Sequence, residues 1–154
     1  NRDNIYNLRL FGLFGKYENW RKTFISGACC KALKNLPITI RQNVYFDYLY
    51  IDDFCRIVEW FINNNVNYKD YNIVSGKRID LVTIAETIKS VSKKDIPVYV
   101  CNPGFAKEYS ACNKRLLSEI GFFEFTPMGS SIEKLYSWYA ENESEIDIYS
   151  LLYQ

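Results

Sequence analysis

The chain has 154 residues, with 19 Lys and Arg against 18 Asp and Glu and a formal net charge of +1. A domain of this length buries about 70% of the surface its unfolded chain exposes, and cations dispersed among acids argue against a nucleic-acid partner. No apolar run approaches the roughly 20 residues that span a bilayer, no signal-peptide pattern opens the chain, and the absence of histidine rules out Ser-His-Asp and Cys-His catalysis from within it.

The five cysteines, Cys29, Cys30, Cys55, Cys101 and Cys112, form no C-x-x-C pair, so they read as buried, reduced thiols of a cytoplasmic protein rather than as a zinc site. The chain opens at Asn1 without a methionine and enters an apolar stretch almost at once, as a piece of something longer does. Residues 8–14 are nearly all apolar apart from Arg9, which suits a parallel strand covered on both faces. Gly12 and Gly15 then permit a close approach or a sharp turn. Residues 16–22 read as a polar and aromatic loop. From Thr23, the spacing of Phe24, Ala28, Lys31, Ala32 and Leu36 predicts a helix ending near Asn35, with Pro37 beyond it. Residues 38–40 make a short strand.

Residues 43–63 are the organising unit, a strand feeding directly into a helix. Tyr45, Phe46, Tyr48, Leu49, Tyr50 and Ile51 suit a mostly buried strand in which Asp47 is the polar member. The period then changes to Phe54, Ile57, Val58, Phe61 and Ile62 on one helical face, with Arg56 and Glu59 opposite. Asp52 or Asp53 is placed to cap that helix.

After a polar loop over 63–70, residues 71–74 form a second buried strand stopped by Ser75 and Gly76. Asp80 caps a helix carrying Leu81, Ile84, Ala85, Ile88 and Val91. Residues 96–100 read as an edge strand because of Pro97. Asn113 is placed to cap a short helix over 114–120 closed by Gly121. Ser130 and Glu133 have capping-box spacing for a last helix with Ile132, Leu135, Tyr136 and Tyr139. Strands alternating with helices predict an α/β fold with a largely parallel sheet.

Several segments, in order, resemble the C-terminal half of the extended short-chain dehydrogenase/reductase family, the NAD-dependent epimerases and dehydratases of nucleotide sugars. LRLFGLFGK at 8–16 is similar to the family's R-x-x-N-x-Y-G-P strand and turn, and PITI at 37–40 to its short substrate-lobe strand. FDYLYIDD at 46–53 resembles the R-D-F-x-x-V-x-D segment, and YNIVSGK at 71–77 the Y-N-x-G-S-G strand. YSACNKRLLSEIGFFEFTP at 109–127 resembles the stretch before the family's closing helix, and EKLYSWY at 133–139 that helix.

The resemblance implies a Rossmann-like fold of which this chain supplies a few parallel strands, helices and a small substrate lobe. It implies NAD or NADP as cofactor, held mainly by an N-terminal dinucleotide-binding half, and a nucleotide-sugar substrate. The chain contains neither the family's G-x-x-G-x-x-G nor its Tyr-x-x-x-Lys, since Tyr68 and Tyr109 are followed four residues on by Asn72 and Asn113. It is therefore expected to bind substrate without turning it over, either as part of a longer enzyme or as a stand-alone sugar- or nucleotide-binding or interaction domain.

Residue by residue, Leu10 and Phe11 match cofactor-facing positions or are core. Gly12 stands where the family has a substrate-binding asparagine, and Lys16 where it has proline. Thr39 and Arg41 match positions flanking the nucleotide base, Arg41 being equally an ordinary exposed strand-end residue. Phe46 occupies a position at which many members carry an arginine for the diphosphate, and a phenyl ring cannot supply that bidentate fork. Arg21, Lys22 and Arg41 are the candidate replacements. Asp47 and Asp53 are read as structural. Tyr109 matches a segment lining the sugar pocket. Strands lacking neighbours in the chain predict a homo-oligomer or a rearranged sheet.

Overall fold

The alternation of strand and helix periods produces parallel pairs joined through helices, in a computed structural model that describes residues 5–152. The strands are β1 (Asn7–Leu10), β2 (Gly12–Phe14), β3 (Ile38–Asn43), β4 (Tyr45–Phe46), β5 (Tyr48–Tyr50), β6 (Asp70–Ile73), β7 (Ile79–Asp80) and β8 (Val98–Phe105). The helices are α1 (Phe24–Leu33), α2 (Ile51–Asn63), α3 (Leu81–Ser92), α4 (Lys114–Ile120), α5 (Met128–Glu141) and α6 (Ile148–Leu152). β1 runs parallel to β6, β2 to β5, and β3 to β8, whereas β4 and β7 are antiparallel.

Two apolar clusters hold these elements. In the larger, Ala28, Cys29 and Ala32 of α1 meet Ile84, Ala85 and Ile88 of α3 and Ile132, Leu135 and Tyr139 of α5, over Ile38 and Ile40 of β3. The small side chains of α1 let these helices approach closely. In the other, Ile57 and Phe61 of α2 cover Leu49, Tyr71 and Ile73, with Leu116 of α4.

The strand-to-helix unit is present, but Asp47 divides the strand into β4 and β5, and the helix face is narrower than its spacing predicts. Ile57 and Phe61 are buried while Ile62 is 77% exposed. β1 is not covered on both faces: Leu10 is 41% exposed, because the described residues pair β1 with β6 alone. Cys29 and Cys30 are buried, yet Cys55, Cys101 and Cys112 are exposed, lying on a solvent-facing side of α2, on the uncovered β8 and before α4.

Of the expected caps, Asp80 is one: its side chain accepts from Thr83 N–H at 3.2 Å. Burial pulls against it, but hydrogen bonds from Thr83 and Asn43 hold the Asp80 carboxyl below its ordinary value. Asn113 instead turns its amide to Val74 O at 3.2 Å. α5 begins at Met128, two residues before Ser130, so the Ser130–Glu133 pair falls inside the helix.

Neither Asp52 nor Asp53 caps α2, which starts from Tyr50 without a side-chain cap. Asp53 is buried and reaches across the fold, accepting from Thr126 N–H at 2.8 Å, Thr126 Oγ1 at 2.7 Å and Arg56 Nη2 at 2.7 Å. It ties α2 to the chain entering α5. Asp53→Ala leaves the part-buried Thr126 donors and Arg56 without their shared acceptor and is expected to destabilise by about 3 kcal/mol. Arg56→Ala, at a half-exposed side chain, is expected to cost about 1 kcal/mol. Urea unfolding of both variants checks the ordering.

Candidate functional site

Asp47 is buried between β4 and β5. Its Oδ1 accepts from Ser75 N–H at 2.9 Å and Ser75 Oγ at 2.7 Å, and its Oδ2 from Gly76 N–H at 2.9 Å. Burial raises its pKa against those donors. Side chains alternate along an extended chain, so fixing Asp47 to one side directs Phe46 and Tyr48 to the other, with ring centroids 5.1 Å apart. There they face β2. Gly12 is the register partner of Tyr48, and a β-carbon on Gly12 would lie 2.9 Å from Tyr48 Cδ1, so the ring occupies the space a larger residue would need.

Phe11, Gly12, Glu18, Lys22, Phe46 and Tyr48 line a cleft of about 440 Å³. Tyr109 stands at its edge, 47% exposed. Its N–H donates to Tyr45 O at 2.9 Å, its O accepts from Asp47 N–H at 3.2 Å, and its ring lies 5.2 Å from Phe11 and 5.8 Å from Phe46. A second hollow of about 380 Å³ adjoins the first, sharing Lys22, Thr23 and Phe24 with it. It follows one face of α1 past Gly27 and Ala28 to Lys31, against Thr39 of β3, with Arg21 also in its lining. Arg21 lies 4.1 Å over the Trp20 ring.

The two hollows differ in charge. Glu18 lies in the aromatic one, accepting from Ser26 Oγ at 2.5 Å. Burial, working against hydrogen bonds from Ser26 and Thr23, pushes its carboxyl above the ordinary range. Burial, reinforced by the Glu18 charge, likewise raises the Tyr48 hydroxyl. The other hollow has Arg21, Lys22 and Lys31. Cys29 and Cys30 are inert buried thiols within α1, with burial pushing Cys30 up to about 12. Among the described residues no group of three or more His, Cys, Asp or Glu is disposed to hold a metal. An aromatic cleft with one carboxylate suits a hydroxylated ring, and a cationic hollow beside it suits an anion.

The structure thus brings Phe11, Gly12, Lys22 and Phe46 to one cleft with Tyr109 at its edge, and Arg21, Lys22 and Thr39 to the adjoining hollow. Leu10 lies half-exposed on β1 and Arg41 on the exposed side of β3, and neither lines the two spaces. Sequence reasoning missed Glu18 and Lys31. The signals were a lone acid between Lys16 and Lys22, and a lone cation in the run Gly27–Leu33 of small and apolar residues.

Residues 2–74 match the NAD dependent epimerase/dehydratase family. The matched segment contains β1 to β6, and with them both Gly12 and Phe46. A GDP-L-fucose synthetase from Naegleria fowleri bound to NADP matches with a TM-score of 0.78 and 20% identity, over 91% of this chain and 46% of that one. A UDP-glucuronic acid 4-epimerase from Bacillus cereus, in complex with UDP-glucuronic acid and NAD, matches at 0.76 and 19% over 90% and 46%. A dTDP-glucose 4,6-dehydratase from Bacillus anthracis, in complex with NAD, matches at 0.75 and 18% over 90% and 45%. At these identities the likeness is one of fold, and it bears out the expected α/β, Rossmann-like class. The chain spans about half the length of the solved structures it matches.

The carboxylate in the aromatic cleft carries a testable cost. A folded-state pKa raised above the ordinary carboxylate value means that Glu18 contributes stability below the unfolded pKa, lost as pH rises through the folded one. Glu18→Gln keeps an acceptor for Ser26 and removes the titration. The variant is expected to match wild type in urea midpoint below pH 4 and to exceed it at pH 7.

Proposed function

We propose that this chain is the substrate-binding, C-terminal portion of an NAD(P)-dependent nucleotide-sugar epimerase or dehydratase. The observation that carries this reading is the convergence of Gly12, Lys22 and Phe46 on one cleft that continues into a hollow with three cations. In this reading the sugar ring lies against Phe11, Phe46 and Tyr48, with Tyr109 at the edge and Glu18 accepting from its hydroxyls. Arg21 and Lys22 stand near the passage between the two spaces and take the diphosphate, replacing the arginine that the position of Phe46 lacks.

Leu10 and Phe11 form an incompletely covered apolar surface that fits the face of a nicotinamide ring. NAD or NADP, when bound, supplies hydride transfer at the sugar. This chain's residues hold and orient the substrate for it, and by themselves they catalyse no turnover, because the acid/base pair of the family is absent from the sequence. The uncovered side of β1 is completed by further protein, a second copy included, so we propose a homo-oligomer. A second reading, a sugar-nucleotide-binding module without catalysis, draws on the same lack of G-x-x-G-x-x-G and Tyr-x-x-x-Lys. The two part on whether the complete protein shows NAD(P)-dependent turnover.

The test is a thermal-shift series on the complete protein with UDP-, dTDP-, GDP- and CDP-sugars. A ligand at 100 times its Kd adds about 2.7 kcal/mol to stability, and at least one of the four is expected to raise Tm in a saturable way. Arg21→Ala with Lys22→Ala should weaken that ligand about tenfold or more, whereas Arg41→Ala should leave it unchanged. No response to any of the four overturns the reading.

A further inference from the structure

β8 is the longest strand among the described residues and the least covered: seven of its eight residues are exposed, with Tyr99 at 55%, Val100 at 43% and Phe105 at 56%. Among the described residues its one partner is β3, so its other edge is open. Sheets ordinarily blunt such an edge with charged side chains. Here no Lys, Arg, Asp or Glu occurs from Ile96 to Ala106. A sheet of two strands is marginal by itself, and more strands stabilise it.

Register determines which backbone groups the open edge offers. Ile38 N–H donates to Pro97 O at 3.0 Å, and Ile38 is the register partner of Val98. In a parallel pair, a residue bonded to the neighbours of its register partner leaves that partner's own N–H and C=O turned away. Val98, and by alternation Val100 and Asn102, therefore present a donor and an acceptor each to the open side. A two-fold axis beside Val100 lays a second β8 antiparallel to the first, with Val100 against its own copy and Val98 against Asn102. About six backbone hydrogen bonds then close between the copies. The flanking charges agree with that register. β8 advances from Asn102 to Phe105 while β3 advances from Gln42 to Asn43, a bulge of two extra residues. Counted through the bulge, Asp95 and Lys107 lie equally far from Val100 in opposite directions, and so do Lys94 and Glu108. Across the axis Asp95 thus meets Lys107 of the other copy, and Lys94 meets Glu108. Asp95 also pairs with Lys89, and Glu108 with Arg78, but a carboxylate has room for two cations.

We infer that the free edge of β8 joins the β8 edge of a second copy of this chain, antiparallel about Val100, so that β3, β8 and their symmetry mates form one continuous sheet. The inference rests on the homo-oligomer proposed above, for which it names the surface, and it makes no use of the nucleotide-sugar assignment. The contact is isologous and uses up both free edges, so it gives a closed dimer rather than a fibre. In that dimer Tyr99 falls opposite Cys101 of the other copy. The two form a non-hydrogen-bonded pair, whose Cα atoms lie about 4.5 Å apart, within the span of a disulfide.

Sedimentation velocity over a concentration series tests this, with wild type expected at twice the chain mass. Val100→Pro removes an N–H that points away from β3, and proline is tolerated on a sheet edge. The circular dichroism of that variant is expected to match wild type while the dimer weakens about tenfold or more. In a background of Cys55→Ser and Cys112→Ser, Tyr99→Cys is expected to give a covalent dimer on oxidation, and adding Cys101→Ser should abolish it. Should Val100→Pro fail to fold, the cross-link decides alone. If Val100→Pro dimerises as wild type does and Tyr99→Cys gives no covalent dimer, the copies meet elsewhere, and this inference fails while the homo-oligomer stands. If wild type is a monomer at every concentration, the edge takes a different strand or none, and both fail.

Discussion

The carboxylate of Asp47 is the constraint on which the cleft depends. Three donors from Ser75 and Gly76 hold it on one side of the chain between β4 and β5, and the alternation of an extended backbone then sets Phe46 and Tyr48 on the other. The consequences propagate outward. Tyr48 lies across β2 and requires Gly12 beneath it, and Phe46 meets the ring of Tyr109, whose backbone is bonded to Tyr45 and Asp47. A turn some 28 residues downstream of Asp47 thereby fixes the aromatic wall of a cleft that no residue of the turn lines.

The buried and half-buried charges Asp47, Asp53, Glu18 and Lys31 are of two kinds. Asp47 and Asp53 each accept several hydrogen bonds, and each joins two parts of the chain distant in sequence. Glu18 and Lys31 are different. Ser26 and Thr23 do not offset the burial of Glu18, and Thr39 alone meets Lys31. Polar groups left incompletely satisfied lower stability, and they are found where a site needs donors or acceptors in reserve. Both of these line cavities, on opposite sides of the shared segment Lys22, Thr23 and Phe24.

This division explains which parts of the molecule were legible in the sequence. Periodicity located α1, α2 and α3, and turn chemistry placed the stop after β6 and the cap at Asp80, because those signals are local. The resemblance to a family picked out Gly12, Lys22 and Phe46, which do converge. Long-range hydrogen bonding was not legible. Asp53 has the position of a cap but accepts from Thr126, and Asn113 donates to the Val74 carbonyl, since a hydrogen-bond partner elsewhere in the fold competes with the first turn of the helix. Ile62 keeps helical spacing yet faces solvent, because the surface available to cover α2 is narrower than its apolar stripe. Lys31 and Glu18 were overlooked for the converse reason: charge in a periodic segment or a polar loop reads as solvent-exposed unless the topology closes over it.

A phenyl ring at position 46 then has a physical sense. A phenyl ring there extends a wall already built from Phe11, Tyr48 and Tyr109, and an arginine would place a guanidinium among aromatic faces beside Glu18. The positive charge of this region is found instead on the loop before α1 and within α1, at Arg21, Lys22 and Lys31. An anion is therefore drawn to the α1 side of the molecule rather than to β4. With Arg21 and Lys31 in one hollow, Glu18 in the other and Lys22 in the lining of both, the field along the two hollows has a direction that favours one orientation of a ligand with an anionic half and a hydroxylated half.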